Sequence, residues 1–210
     1  MVKRFETTRR GLVRGAGAAA LATGVGMPAI VRAQTDIVRI GHLTPRTGFL
    51  GPLGEYAVMA VDLAVEEINA AGGVLGRKLE AIKEDSVNPQ TASTKAERMV
   101  ERDKVAALVG EISSASCLTI AQVADRSKTL FINTGGNSDA LRGKDCKRFM
   151  FHVESQNTSY VKTAGEALKS RGLMSGKKIY SLTADYAFGH DLTSVAKKFY
   201  AANGATLLAD

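Results

Sequence analysis

Residues Ala106–Ala124, AALVGEISSASCLTIAQVA, decide how the rest of this chain is read. Val105 to Val109 is a short apolar run with the length and β-branched character of a buried strand. Gly110 ends it, the small hydroxylated residues Ser113, Ser114 and Ser116 follow, and Leu118, Ala121 and Ala124 then recur at helical spacing. That order is strand, tight loop, helix N-terminus. In an open parallel α/β sheet such a corner lies at the carboxyl edge of the strands, where ligands bind. A serine-capped helix start offers unpaired backbone N–H groups, a hydroxyl and the positive end of the helix dipole, which suits an anion. The same serines also serve simply to cap the helix, so the rest of the chain has to decide.

Outward from that corner, strand and helix patterns alternate. Asp36–Leu43 reads as a first strand, followed by turn residues Thr44–Gly48 and a helix from about Gly54 to Ala71. Along that helix Val58, Met59, Val61, Leu63, Val65 and Ile68 recur at three- and four-residue steps, and Gly72-Gly73 stops it. A second strand begins at Leu79 and ends in Glu84-Asp85, and Pro89 opens a helix with Ala92, Ala96, Met99 and Val100 on one stripe. Beyond the corner come strands at Thr129–Ile132 and Phe149–Val153, with the loop Asn133–Asp139 between them at the same sheet edge. A helix through Val161, Ala164 and Leu168 follows, then a strand Lys178–Thr183. The loop Ala184–Gly189 leads to a helix through Leu192, Val195 and Phe199, and Ala205–Leu208 starts a last strand. The order implies an α/β fold with a parallel sheet, right-handed crossovers and helices on both faces. A series that stops on the first strands of its second sheet leaves faces and edges uncovered, so a truncated second domain is expected.

The chain has 210 residues, 45% hydrophobic and 23% charged, an ordinary globular composition. Its formal charge of +7 is unevenly spread: residues 1–33 carry +5 and residues 34–210 only +2. The body is nearly neutral and has no basic stripe interleaved with aromatics, which excludes nucleic acid as the main partner. Thr8-Arg9-Arg10-Gly11-Leu12-Val13-Arg14 resembles a twin-arginine export motif, a weak Ala/Gly-rich apolar run spans Gly15–Val31, and Val31-Arg32-Ala33 is a small-x-small cleavage site. Residues 1–33 are therefore read as a signal peptide and the protein as periplasmic. An exported chain can join Cys117 and Cys146 in one disulfide, although a protein folded before export, in a reducing compartment, cannot depend on it. Neither cysteine has a CxxC or histidine neighbour, so no metal is expected.

At GHLTPRTGFLGPLG, DLAVEEINAAGGVLGRKLE, EDSVNPQTA, ALVGEISSAS and TADYAFGHDL the sequence resembles the periplasmic substrate-binding proteins of branched-chain amino-acid-type ABC importers. This is the Leu/Ile/Val-binding protein family, with a type I periplasmic-binding fold. The resemblance covers residues 36–210, and Glu67–Gly73 with Leu75-Gly76-Arg77 is its most specific part. It implies two α/β lobes with the ligand between them: 34–153 a nearly complete first lobe, 154–210 the beginning of a truncated second. It also implies an ABC permease and ATPase as partners, a monomer, and a ligand that is an amino acid, amide or carboxylate. Carried over by position, the carboxylate anchor falls on Ser114 with the amide near Ala115, and further contacts fall on Thr134, Gly135, Gly136 and Asn137. From the second lobe come Phe188, with Tyr186 close by. The family often has a Ser-Pro pair and a threonine where this chain has Asn133-Thr134 and Asn137. At Phe188 the hydroxyl often found in the family is missing, which favours stacking on an apolar or aromatic ligand body.

Two other functions compete. An exported oxidoreductase would suit the leader, but no G-x-G-x-x-G follows a strand in the body, no P-loop or nucleophile elbow is present, and His42, His152 and His190 are scattered. The reading is therefore a non-enzyme without cofactor. A sensor domain of the same α/β type is the other alternative. Residues 1–210 alone would supply one complete cleft wall and part of another, so weak ligand binding and poor solubility of this chain are expected.

Overall fold

The computed structural model describes residues 37–208, so the export-signal reading of 1–33 lies outside the described residues. Strand β1 (Val38–Thr44) is followed by α1 (Gly51–Ala70), β2 (Leu79–Asp85), α2 (Pro89–Glu101), β3 (Ala107–Gly110), α3 (Ser114–Ser127) and β4 (Leu130–Asn133). A 3-10 turn at Asp139–Leu141 leads to β5 (Met150–His152). These five strands form one all-parallel sheet in the order β2-β1-β3-β4-β5. After it come α4 (Asn157–Ser170), β6 (Lys178–Ile179), α5 (Ala187–Ala202) and β7 (Thr206–Leu207), with β6 and β7 parallel in a second sheet.

Strand order sets where the loops separate. The chain first steps from β1 outward to β2, then crosses back over β1 to β3 and continues the other way. A right-handed crossover puts α1 on one face and α2 and α3 on the other. The point of reversal lies between β1 and β3, and the loops leaving their carboxyl ends must splay apart there. Leu43 pairs with Gly110, and Gly110 with Asn133, so the loops after β1, β3 and β4 emerge side by side.

The core sits under α2 and α3. Leu43, Leu108, Phe131 and Met150 from the sheet pack against Ala92, Ala96 and Met99 of α2 and Cys117, Ile120, Ala121 and Ala124 of α3. The apolar stripe read along α2 is therefore the buried one. Its start is set by Asn88, whose side-chain oxygen accepts the Thr91 N–H at 2.9 Å, with Pro89 in the first turn where a missing N–H costs nothing.

Helix α1 differs from expectation. It begins at Gly51, three residues before the expected start, and of its apolar residues only Val58 is buried while Met59 and Leu63 stay exposed. The helix is apolar around much of its circumference, so spacing alone does not select a face. Close approach does: a Cβ on Gly54 would stand 1.6 Å from the Pro45 carbonyl oxygen, so this point of the helix lies directly on the loop after β1. Strand β6 also ends at Ile179 rather than Thr183, because β7 offers partners only at Thr206 and Leu207 and leaves Tyr180 and Leu182 exposed. The disulfide is corrected as well. Cys117 and Cys146 are both free, the first buried in the core beneath Gly136 and the second exposed.

Candidate functional site

The turn after β3 is built around one acidic side chain. Gly110 has φ +126°, and a Cβ there would stand 2.2 Å from the Leu43 carbonyl oxygen. Glu111 follows at φ +91°, a conformation that costs a side-chain-bearing residue about 1–3 kcal/mol. Its own carboxylate offsets that cost: Oε1 accepts the N–H groups of Ile112 and Ser113, each at 2.9 Å. Ser113 is the N-cap of α3, yet its hydroxyl makes no capping bond, and Glu111 bonds only the two amides that precede the helix. The next amides, of Ser114, Ala115 and Ser116, belong to the first helical turn, which has no carbonyl of its own to bond.

Beside this turn lies a cavity of about 290 Å³. Its walls are the loop after β1 (Pro45, Thr47, Phe49, Leu50), the loop after β2 (Ser86, Val87, Asn88), the turn residues Ser113, Ala115 and Ser116, and Tyr186. It opens where the strand order reverses, as the rule for open α/β sheets requires. Asp85 ties the first two walls together, accepting the Arg46 N–H at 2.8 Å, the Thr47 hydroxyl at 2.6 Å and the Val87 N–H at 3.1 Å. Burial pulls the Asp85 carboxyl up, but these three donors outweigh it and hold the group below its ordinary value. A larger hollow of about 670 Å³ runs along α5 past Thr183, Asp185 and His190. It contains no residue of the first sheet or its loops, so the smaller cavity is the better candidate.

Of the residues singled out from the sequence, Ala115 and Tyr186 line this cavity. Phe188 stands next to Tyr186, ring centroids 6.1 Å apart and planes 33° apart. Ser114 is fully buried behind the wall, where its hydroxyl oxygen accepts the Asn137 N–H at 3.1 Å and the Ser138 N–H at 3.2 Å. It joins the two loops of the sheet edge. Thr134, Gly135, Gly136 and Asn137 form the second loop, held from within by Asn133, whose Oδ1 accepts from Gly135 and Gly136 and whose Nδ2 donates to the Gly136 carbonyl. Thr134 is exposed and its N–H donates to Gly110. The Asn137 side chain donates to the Ser155 carbonyl at 2.7 Å, away from the cavity wall.

Sequence reading missed Glu111, Asp85 and the whole Pro45–Leu50 wall. A lone acid inside a run of small hydroxylated residues was the available signal for Glu111. It also missed Asn157, the fully buried first residue of α4. Asn157 Nδ2 donates to the Phe188 carbonyl at 3.0 Å and to Asp191 at 2.7 Å, and Asp191 in turn accepts the Asp139 N–H at 2.8 Å. The segment carrying Tyr186 and Phe188 is thereby fastened to the edge of the first sheet.

A parallel sheet with a cavity at its switch point, beside a second, smaller α/β element, is the arrangement of the type I periplasmic-binding fold. The sequence profile of the periplasmic binding protein family matches residues 37–210, and the chain belongs to that family. It is 29% identical over 150 residues to the Leu/Ile/Val-binding protein homolog 8 of Brucella suis, covering 71% of this chain and 37% of that protein. Among solved structures, a periplasmic binding protein from Burkholderia mallei superposes with a TM-score of 0.76 at 32% identity, over 83% of this chain and 46% of that one. The branched-chain amino acid transporter substrate-binding protein of Streptococcus pneumoniae, solved with isoleucine, superposes with a TM-score of 0.71 at 25% identity, over 83% and 49%. The chain thus spans less than half the length of each of these relatives.

Proposed function

We propose that this chain is the extracytoplasmic solute-binding component of an ABC importer, holding a small carboxylate or amino-acid-like ligand between two lobes. Residues 34–153 are the first lobe and 154–210 the beginning of the second. The observation that carries the reading is the cavity at the β1–β3 switch point, with first-turn amides of α3 on one side and Tyr186 on the other. Those amides suit the ligand's carboxylate. Phe49, Leu50, Val87 and Tyr186 offer an apolar lining for its body. Ser114 supports the anchor by fixing the turn, while Thr134, Gly135, Gly136 and Asn137 shape the neighbouring loop. Phe188 backs Tyr186.

In this reading the first lobe takes the carboxylate, the second swings over it, and a permease with its ATPase recognises the closed form. The protein works as a periplasmic monomer, delivered by a twin-arginine leader, without cofactor. Support for the transport role comes from the family and from relatives described as Leu/Ile/Val-binding and substrate-binding proteins. The isoleucine in the Streptococcus pneumoniae relative supports an amino acid, and the aromatic wall supports an aromatic carboxylate equally.

The test is amide NMR of the isotope-labelled chain titrated with isoleucine and with benzoate. Shifts centred on Ala115, Ser116 and Tyr186 are expected, weak in affinity because only part of the second lobe is present. Saturating perturbation confined to the α5 hollow, or none at millimolar ligand, would overturn the assignment.

A further inference from the structure

Glu111 has a second carboxylate oxygen that the turn geometry does not use. The side chain has no exposed surface, and while Oε1 holds two amides, Oε2 makes no hydrogen bond of ordinary geometry among the described residues, with only the Ser86 hydroxyl lying against the group. A buried carboxylate oxygen left without a donor is costly when charged and far less so when protonated. The group also sits directly behind the cavity: its Oε1 is bonded to the amide of Ser113, and the Ser86 hydroxyl lies against it; both residues line the wall. Any anion on the adjacent first-turn amides would share a low-dielectric corner with this carboxylate.

We propose that Glu111 is a specificity-determining residue of the ligand site: protonated, it admits a simple anionic carboxylate, and ionised, it restricts the site to zwitterions whose ammonium group offsets its charge. The proposal rests on the ligand reading above and names the ligand class that the site takes in each state.

The groups around Glu111 favour such a change of state. Asp85 at the end of β2 adds a like charge. Tyr186, before α5, and Cys117, on α3, bring no positive charge, and burial with the neighbouring Glu111 pushes both of their acidities weaker. His42 on β1 stands beside Gly110, and burial drives it towards its neutral form. Burial thus raises the Glu111 carboxyl, opposed by the Ser86 hydroxyl and the Ser113 and Ile112 amides. None of these neighbouring groups brings a positive charge to it.

The sign comes from linkage. An anion bound nearby raises the Glu111 carboxyl further, so binding takes up a proton and affinity falls as pH rises. Benzoate affinity is expected to drop about tenfold per pH unit between the ligand-free and ligand-bound midpoints of Glu111. Isoleucine affinity is expected to change less than about threefold over the same window.

The experiment has two arms on the full 210-residue chain. Infrared or carboxyl-carbon NMR titration of the ligand-free chain is expected to show one glutamic acid protonated above the ordinary carboxylate range, absent in Glu111→Gln. Calorimetry with benzoate and with isoleucine, in buffers of different ionisation heat, is expected to show proton uptake for benzoate alone. In Glu111→Gln, which keeps an oxygen for the two amides, the uptake and the pH dependence of benzoate binding should vanish while binding persists. A Glu111 that titrates with the other carboxylates overturns the proposal, and this first arm decides even where the variant fails to fold. So does equal proton uptake for both probes, or a wild-type pH profile in the variant. A Glu111 that titrates as expected in a chain that binds neither probe overturns the ligand reading itself, and the gating role with it.

Discussion

The turn Gly110–Ser116 closes one side of the cavity and the segment Ala184–Phe188 the other, and the two are held by different means. The turn leaves a central strand of a five-stranded sheet, and its buried Glu111 bonds the next two amides. Ser114 behind it secures the next loop. The second wall leaves the end of a two-residue strand at the margin of a two-stranded sheet. It is tied to the first sheet's edge by Asn157, which donates to the Phe188 carbonyl and to Asp191, and by the Asp139 N–H on Asp191. One wall is fixed by the hydrogen bonding of its own sheet; the other depends on a few polar contacts with the first. The difference suits the proposed closure, in which the second lobe swings and so needs few bonds to break, while the anchor needs many that do not.

Breaking the rigid wall has the largest expected effect. Gly110→Ala combines a φ of +126° with a Cβ 2.2 Å from the Leu43 carbonyl oxygen, and should cost about 3 kcal/mol or more. Thermal melting should fall by roughly 10 °C. A melt within a degree or two of the parent would show that the turn is looser than its contacts suggest.

Next comes the fastening of the second wall. Asn157→Ala leaves the Phe188 carbonyl and Asp191 without that donor and should cost about 2 kcal/mol. Hydrogen exchange should speed up at residues 186–190 and stay unchanged at 111–116. Uniform loss of protection would deny that the two walls are independently held.

Tyr186→Ala should weaken benzoate binding about tenfold while stability moves by less than about 0.5 kcal/mol, because the ring lies on the cavity wall and outside the core. Calorimetry beside a melt separates the two. The smallest effect belongs to the cysteines. Cys146 should react promptly with a thiol reagent and Cys117 only on unfolding, and Cys146→Ser should leave stability within about 0.5 kcal/mol. Equal protection of both thiols would reopen the question of a bond between them.

Much of the first sheet could be read from the sequence because each signal was local. Asn88-Pro89 marks a helix start, Gly72-Gly73 a helix end, and Leu108 to Gly110 a buried strand running into a turn. Helix α1 was placed but not faced, since residues such as Met59 and Leu63 are as apolar as the Val58 that is buried. The site was legible only in part. Ala115 and Tyr186, singled out by position in the chain, both line one cavity. Ser114, the expected anchor, proved to have its oxygen occupied by Asn137 and Ser138, a contact twenty-three residues away along the chain.

Local pattern by itself determined the alternation of strands and helices, the parallel class of the sheet and the loops at its carboxyl edge. These depend on periodicity and turn chemistry, which act over a few residues. Only the tertiary structure decided which groups meet at that edge: Asp85 beneath two loops, Glu111 behind the helix start, Asn157 beneath Phe188. Glu111 and Asn157 are buried and Asp85 half-buried, and only folding brings Arg46 and Thr47 to Asp85, Phe188 to Asn157, and the cavity wall in front of Glu111. Burial is what gives such contacts their strength, and burial is a property of the whole fold.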